Sequence, residues 1–243
     1  MFVEEDYESI QDRIEKVYER EGEKISTAGQ ILAETIRRDG LIHVFGCGHS
    51  HMIAEEMFYR AGGLVAINPR FEESTMLHDG AYKSSPIERM SGYAPRVLER
   101  YPLREGDAFI ISSSSGINPF PIEMAESARE KGVRVIGITS GNYKNQPSRD
   151  PRGLHLADVC ELYIDKYVPR GDAVVSIKED GLKAGPVSSI AAFFIVNSIS
   201  LAACEHLRGQ GECFPVYKSG NVDGGDHYNQ AIVEKYICRI KHL

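Results

Sequence analysis

Cysteine is scarce in this 243-residue chain: Cys47, Cys160, Cys204, Cys213 and Cys238 are odd in number, widely spaced and form no CxxC pair. That pattern excludes a zinc ribbon or a disulfide frame and suits reduced thiols in a cytoplasm. Basic charge is also short, with 28 Lys and Arg against 35 Asp and Glu and a net charge of −7. Broad non-specific nucleic-acid binding is excluded on that balance. The longest apolar run, 190–204, is interrupted by Asn197, Ser198 and Ser200, and is short for a bilayer span. A buried helix, with no membrane partner, is the expectation. The opening MFVEEDYESI is acidic where a signal peptide would be basic and then apolar, which points to a cytoplasmic location. Internal repeats, low-complexity tracts and linkers are lacking as well.

What is there is ordinary globular composition, 42% hydrophobic and 26% charged. A chain of this length buries roughly 70–75% of its unfolded surface and needs neither metal nor disulfide to hold a core. Apolar residues at three- and four-residue steps predict an amphipathic helical segment over 7–38, with Gly22 a candidate break and Asp39-Gly40 the stop. Short apolar runs follow at 41–45, 64–67, 108–111, 133–138 and 162–164, separated by helical stretches near 51–61, 86–99 and 119–131. Strands that alternate with helices predict an α/β, three-layer α-β-α sandwich with a parallel sheet buried on both faces. Gly40, Gly106 and Gly132 stand before three of the strands as turn glycines. Helices near 186–208 and 227–240 follow, the second capped by Asp226. The segment 141–153 reads as an exposed loop. One domain is expected over 1–243, with its core at about 40–208 and a C-terminal tail and helix at 210–243.

Two strand-to-helix junctions carry the chemistry. The first is Phe45-Gly46-Cys47-Gly48-His49-Ser50; the second is Ser112-Ser113-Ser114-Ser115-Gly116-Ile117-Asn118-Pro119. Small residues let backbone approach a ligand, hydroxyls donate without bulk, and a helix start favours an anion. In strand order 2-1-3-4-5 both loops flank the topological switch, where open α/β sheets bind ligands. Glycine and serine also make plain tight turns. A dinucleotide fingerprint is incomplete, because the third glycine is missing and Asn68 stands near the acidic ribose position. A Walker loop is absent.

These loops, with Ala128-Arg129-Glu130-Lys131-Gly132 and Val135-Ile136-Gly137-Ile138-Thr139-Ser140, resemble the SIS (sugar isomerase) domain. The resemblance covers about 40–208 and is similar to bacterial phosphoheptose isomerase-like proteins. It implies a flavodoxin-like five-stranded parallel sheet, phosphosugar binding in carbohydrate metabolism, and self-association as a homodimer or homotetramer. Carried over, Ser113, Ser114, Ser115 and Asn118 hold the phosphate, Ser50 lies on the sugar side, and Gly46, Gly48 and Gly116 admit the ligand to the backbone. Heptose isomerases and muramic-acid-phosphate etherases keep an acid ten positions after the loop serine; here that position is Arg60.

Aldose–ketose isomerisation needs a base for the carbon-bound proton and an acid/base for ring opening. Glu72 and Glu73 follow the second strand, Glu88 is expected to open a helix, and Glu55 and Glu56 lie on the first. Glu72 is the chosen base, with His78 or His227 serving ring opening; most such groups in proteins are solvated surface residues. His49 and His51 flank Ser50, whereas His43 lies in a strand. Gly181-Leu182-Lys183-Ala184-Gly185-Pro186 is similar to the Lys-His-Gly-Pro of glucosamine-phosphate enzymes, with Ala184 at their histidine, and to the Lys-Ala-Gly of the etherases. Lys183, and Asn197 as a buried helix asparagine, complete the substrate-binding set. Cys47, His49, His51 and His78 have no zinc-site spacing, so neither metal nor cofactor is expected. The reading is a metal-independent sugar-phosphate isomerase. A non-catalytic phosphosugar sensor and a sugar-phosphate ether lyase are the alternatives.

Overall fold

A computed structural model describes residues 1–208 and 215–243; Cys213 and the rest of segment 209–214 lie outside the described residues. The first helix, α1 (Phe2–Arg37), runs unbroken through Gly22. A mid-helix glycine costs only about 0.5–1 kcal/mol. Burial of Val17, Ile25, Ala28, Leu32 and Ile36 along one face outweighs that. The helix stops where Asp39 takes φ +60°.

Five strands follow in one parallel sheet: β1 (Ile42–Gly46), β2 (Ile67–Pro69), β3 (Ala108–Ser112), β4 (Arg134–Thr139) and β5 (Leu162–Asp165). Their order is β2-β1-β3-β4-β5, as expected for the flavodoxin-like sheet. Side chains alternate between two cores. Ile42, Val44, Ile110, Ile136 and Ile164 face α1 and α7 (Ser188–Leu207). Phe45, Phe109, Ile111 and Val135 face α4 (Ala94–Glu99), α5 (Pro119–Glu130) and α6 (Leu156–Val159). Among the described residues α7 alone has the length and apolarity of a membrane span. It packs against α1, where a Cβ on Gly29 would lie 2.5 Å from Ala202 Cβ; the glycine permits this close crossing.

Several boundaries differ from the sequence expectation. The helix near 51–61 is a 3-10 turn (Gly48–His51) and the six-residue α2 (Met52–Met57). The stretch 86–99 divides into α3 (Ala81–Glu88) and α4, separated around Gly92 at φ +79°. Glu88 therefore ends a helix and does not open one. Leu64 and Val65 do not join β2: Leu64 bridges Val216, and Val65 N–H donates to Pro215 O, so the tail covers that edge. A hairpin of β6 (Ala173–Ser176) and β7 (Lys183–Pro186) occupies the expected loop after β5. The last helix, α8, spans Gly225–Val233, and Gly224, not Asp226, is its N-cap.

Candidate functional site

Both glycine-serine loops are shaped by backbone demands at the carboxyl end of the sheet. A Cβ on Gly46 would collide with the Ser50 carbonyl, and Gly48 turns at φ +55° into the 3-10 turn. Gly116, at φ +64°, leaves no room for a side chain, since its Cβ would lie 2.6 Å from Thr139 Oγ1. None of the three positions takes an L side chain without strain.

Ser50 and Ser114 meet in a narrow crevice of about 10 Å³ with Ser112, Ser188, Ser189 and Lys166. Lys166, which follows β5, is 1% exposed, and its Nζ donates to Ser114 Oγ at 2.8 Å. Burial pulls its ammonium down to about 8, against the opposing pull of the Asp172 and Asp165 charges. Ser112 Oγ is buried with no hydrogen-bond partner among the described residues. The sequence reading missed Lys166, Ser188 and Ser189. The available signal was a lysine immediately after a buried strand at the carboxyl edge; the α7 serines offered none, because only folding brings that helix start beside the two loops.

The second loop divides between environments. Ser113 Oγ accepts from Gly116 N–H at 3.2 Å, so its hydroxyl braces the turn. Ser115 lines a separate cavity of about 230 Å³ with Thr139, Lys144, His155 and Tyr163. Asn118, 6% exposed, accepts at Oδ1 from Arg149 Nη1 at 2.8 Å. Arg149 N–H also donates to Ile117 O at 2.8 Å, so the segment 141–153, mostly exposed as expected, is anchored to this loop at that point. Glu88 borders the same place: burial raises its carboxyl above the ordinary value, opposed by a hydrogen bond with Asn118 and the Arg149 charge.

The other expected residues are dispersed. Glu72 is buried and fully engaged, accepting from Arg100 Nη2 at 2.7 Å, Ser74 Oγ at 2.7 Å and Tyr93 OH at 3.4 Å. His78 is exposed, its ring 5.8 Å from that of His51, whose Nε2 lies 3.2 Å from Glu55 Oε1. His227 is exposed on α8, and Lys183 is exposed on β7; neither lines the crevice. Asn197 is exposed rather than buried, because the polar side of α7 turns it toward Glu56 Oε1 (2.7 Å) and Phe193 O (3.0 Å). Arg60 pairs with the same Glu56. Burial pushes the Cys47 thiol well up, with Glu88 adding to the effect, so it is no nucleophile at neutral pH. No cluster of three or more metal-ligating side chains occurs among the described residues.

Against known proteins, the sequence profile of the SIS domain matches residues 6–140. The chain is similar to UPF0309 protein lin2794 of Listeria innocua serovar 6a, 44% identical over 231 residues that cover 95% of this chain and 94% of that protein. Among solved structures, the fold is similar to phosphoheptose isomerase GmhA from Neisseria gonorrhoeae, with TM-score 0.56 and 16% identity over 82% of this chain and 96% of that one. It is also similar to the Vibrio vulnificus NanR protein complexed with ManNAc-6P, with TM-score 0.50 and 15% identity over 98% of this chain and 68% of that one. With an α/β sheet in the order 2-1-3-4-5 and glycine-serine loops at its switch point, the chain belongs to the SIS domain family.

Proposed function

We propose that this protein binds a sugar phosphate over the two loops, with a phosphate oxygen entering the crevice of about 10 Å³, and interconverts its aldose and ketose forms. The observation that carries the reading is Lys166. Its buried ammonium makes one hydrogen bond among the described residues, to Ser114, and serine hydroxyls surround it. An ammonium has three N–H donors, and a phosphate oxyanion is the partner that satisfies the other two. Membership of the SIS family, and the ManNAc-6P described with NanR, support a sugar phosphate over other anions. Two carboxyls are candidates for moving the carbon-bound proton. Glu88 lies beside Asn118 and burial raises its pKa above the ordinary carboxylate value, which suits a group that accepts and returns a proton. Glu72 is the other; Arg100 would have to release it. His78 beside His51, or the exposed His227, serves ring opening.

Thermal-shift titration with hexose, heptose, hexosamine and N-acetyl sugar phosphates, each beside its unphosphorylated form, tests the binding. The expected result is a rise confined to phosphorylated sugars and lost in Ser114→Ala; no rise with any of them overturns the reading. Hydrogen exchange from D2O into the carbon next to the carbonyl then tests turnover, with Glu88→Gln and Glu72→Gln separating the two bases. One observation favours the non-catalytic sensor: no carboxylate lines the crevice among the described residues. Binding without exchange would select it. Lys183, Ala184 and Gly185, on which the lyase reading rests, sit on the β6/β7 hairpin outside the crevice.

A further inference from the structure

At the opposite end of the sheet, a cavity of about 360 Å³ lies between β2, the residues that lead into β1 and β3, and the C-terminal segment 237–241. Its walls carry Arg70, Arg100, Arg104, Arg239 and Lys241, and one acid, Asp107. That acid is already spent. Asp107 accepts from Leu41 N–H at 2.8 Å and Arg104 N–H at 2.9 Å, and it lies 3.0 Å from His43 Nε2. Burial holds the His43 imidazole down at about 4, so it is neutral at pH 7. Arg100 is paired with Glu72, and Arg239 with Asp39. Arg70, Arg104 and Lys241 make no ion pair among the described residues.

Arg70 is the telling member. It is 4% exposed, and its guanidinium is fixed by a 2.7 Å contact from Nη2 to His43 Nδ1 and by the ring of Tyr101, 4.9 Å away. Its Nε–H is buried and has no hydrogen-bond partner among the described residues, and the buried Oδ1 of Asn68 has none there either. A buried cation with an orphaned donor is costly unless something anionic reaches it. Asn68 asks the same occupant for a donor, such as a hydroxyl. Lys241, 5.7 Å from the Tyr101 ring, stands on the other side of the cavity mouth.

We propose that this cavity is a second anion site, built for a small phosphate monoester that bears a hydroxyl group. Its phosphate pairs with Arg70, Arg104 and Lys241, and its hydroxyl donates to Asn68. Because the C-terminal segment forms one wall, an occupied site ties the chain's end to the sheet edge. The inference stands apart from the crevice and does not depend on the function proposed for it.

The test is calorimetric titration with glycerol phosphate at fixed ionic strength, on the wild type, Arg104→Gln, Lys241→Gln, Asn68→Ala and Ser114→Ala. Arg104 and Lys241 are exposed, so their variants fold as the wild type does. Each of those two substitutions is expected to weaken binding about tenfold, while Ser114→Ala leaves this site unchanged. Absence of binding, or binding weakened by Ser114→Ala and indifferent to Arg104→Gln and Lys241→Gln, overturns the proposal. Failure of sugar phosphates at the crevice leaves these outcomes untouched.

Discussion

The two ends of the parallel sheet both bury a cation, but in opposite ways. At the carboxyl end Lys166 fills a crevice of about 10 Å³ among neutral hydroxyls. At the other end Arg70 borders a cavity of about 360 Å³ among further cations and an aromatic ring. The residue types explain the difference. A buried lysine drops to about 8 and can release its proton near neutrality, whereas Arg70, although burial brings it down to about 10, remains charged. The first environment suits proton chemistry on a bound anion. The second suits holding one.

Substitutions can break that contrast. The largest effect is expected from Asp107→Ala, which strips His43 and two backbone N–H groups of their acceptor beside Arg70; a loss of about 3–5 kcal/mol in urea unfolding is anticipated. The same network gives a pH signature. His43 is depressed from 6.5 to about 4, so the stability it contributes is complete above pH 6.5 and is lost as pH falls toward 4. In His43→Gln, unfolding followed by circular dichroism should lose that slope. Next comes Gly116→Ala at the carboxyl end, where the positive φ and the Thr139 contact should cost about 2 kcal/mol.

Lys166→Met sharpens the comparison, because this substitution is expected to stabilise the fold, while its pH linkage runs in the same direction as that of His43. A lysine depressed from 10.5 to about 8 contributes stability that is complete above pH 10.5 and lost as pH falls through 8. The wild type should therefore gain stability from pH 8 to 10.5. The methionine variant should lack that rise and be more stable at pH 7, on the order of 1–3 kcal/mol, while losing sugar-phosphate binding. Smallest of all, His227→Ala is expected to change stability by less than about 0.5 kcal/mol, since the side chain is exposed.

The strands and loops were legible because their signals are local. Runs such as 108–111 have no polar face, Gly46 and Gly116 stand where a Cβ would collide, and Gly48 turns at a positive φ that favours glycine. Helix ends were less legible: the apolar pattern through 86–99 spans α3 and α4 and does not register the turn at Gly92. Site residues were least legible. Asn197 looked buried because its helix is apolar, yet one face of α7 is open. Lys166 carries no local mark of burial, because only the folded chain encloses it.

The sequence by itself determined the alternation of strand and helix, the parallel sheet and the two glycine-serine turns, since each follows from residue spacing and backbone sterics within a few positions. Tertiary structure alone decided which hydroxyls share a crevice, which carboxylate is spent on an arginine, and which cations are left without a partner. Those outcomes depend on residues 28 to 200 positions apart meeting in a medium where charge is costly, and no local pattern encodes such a meeting.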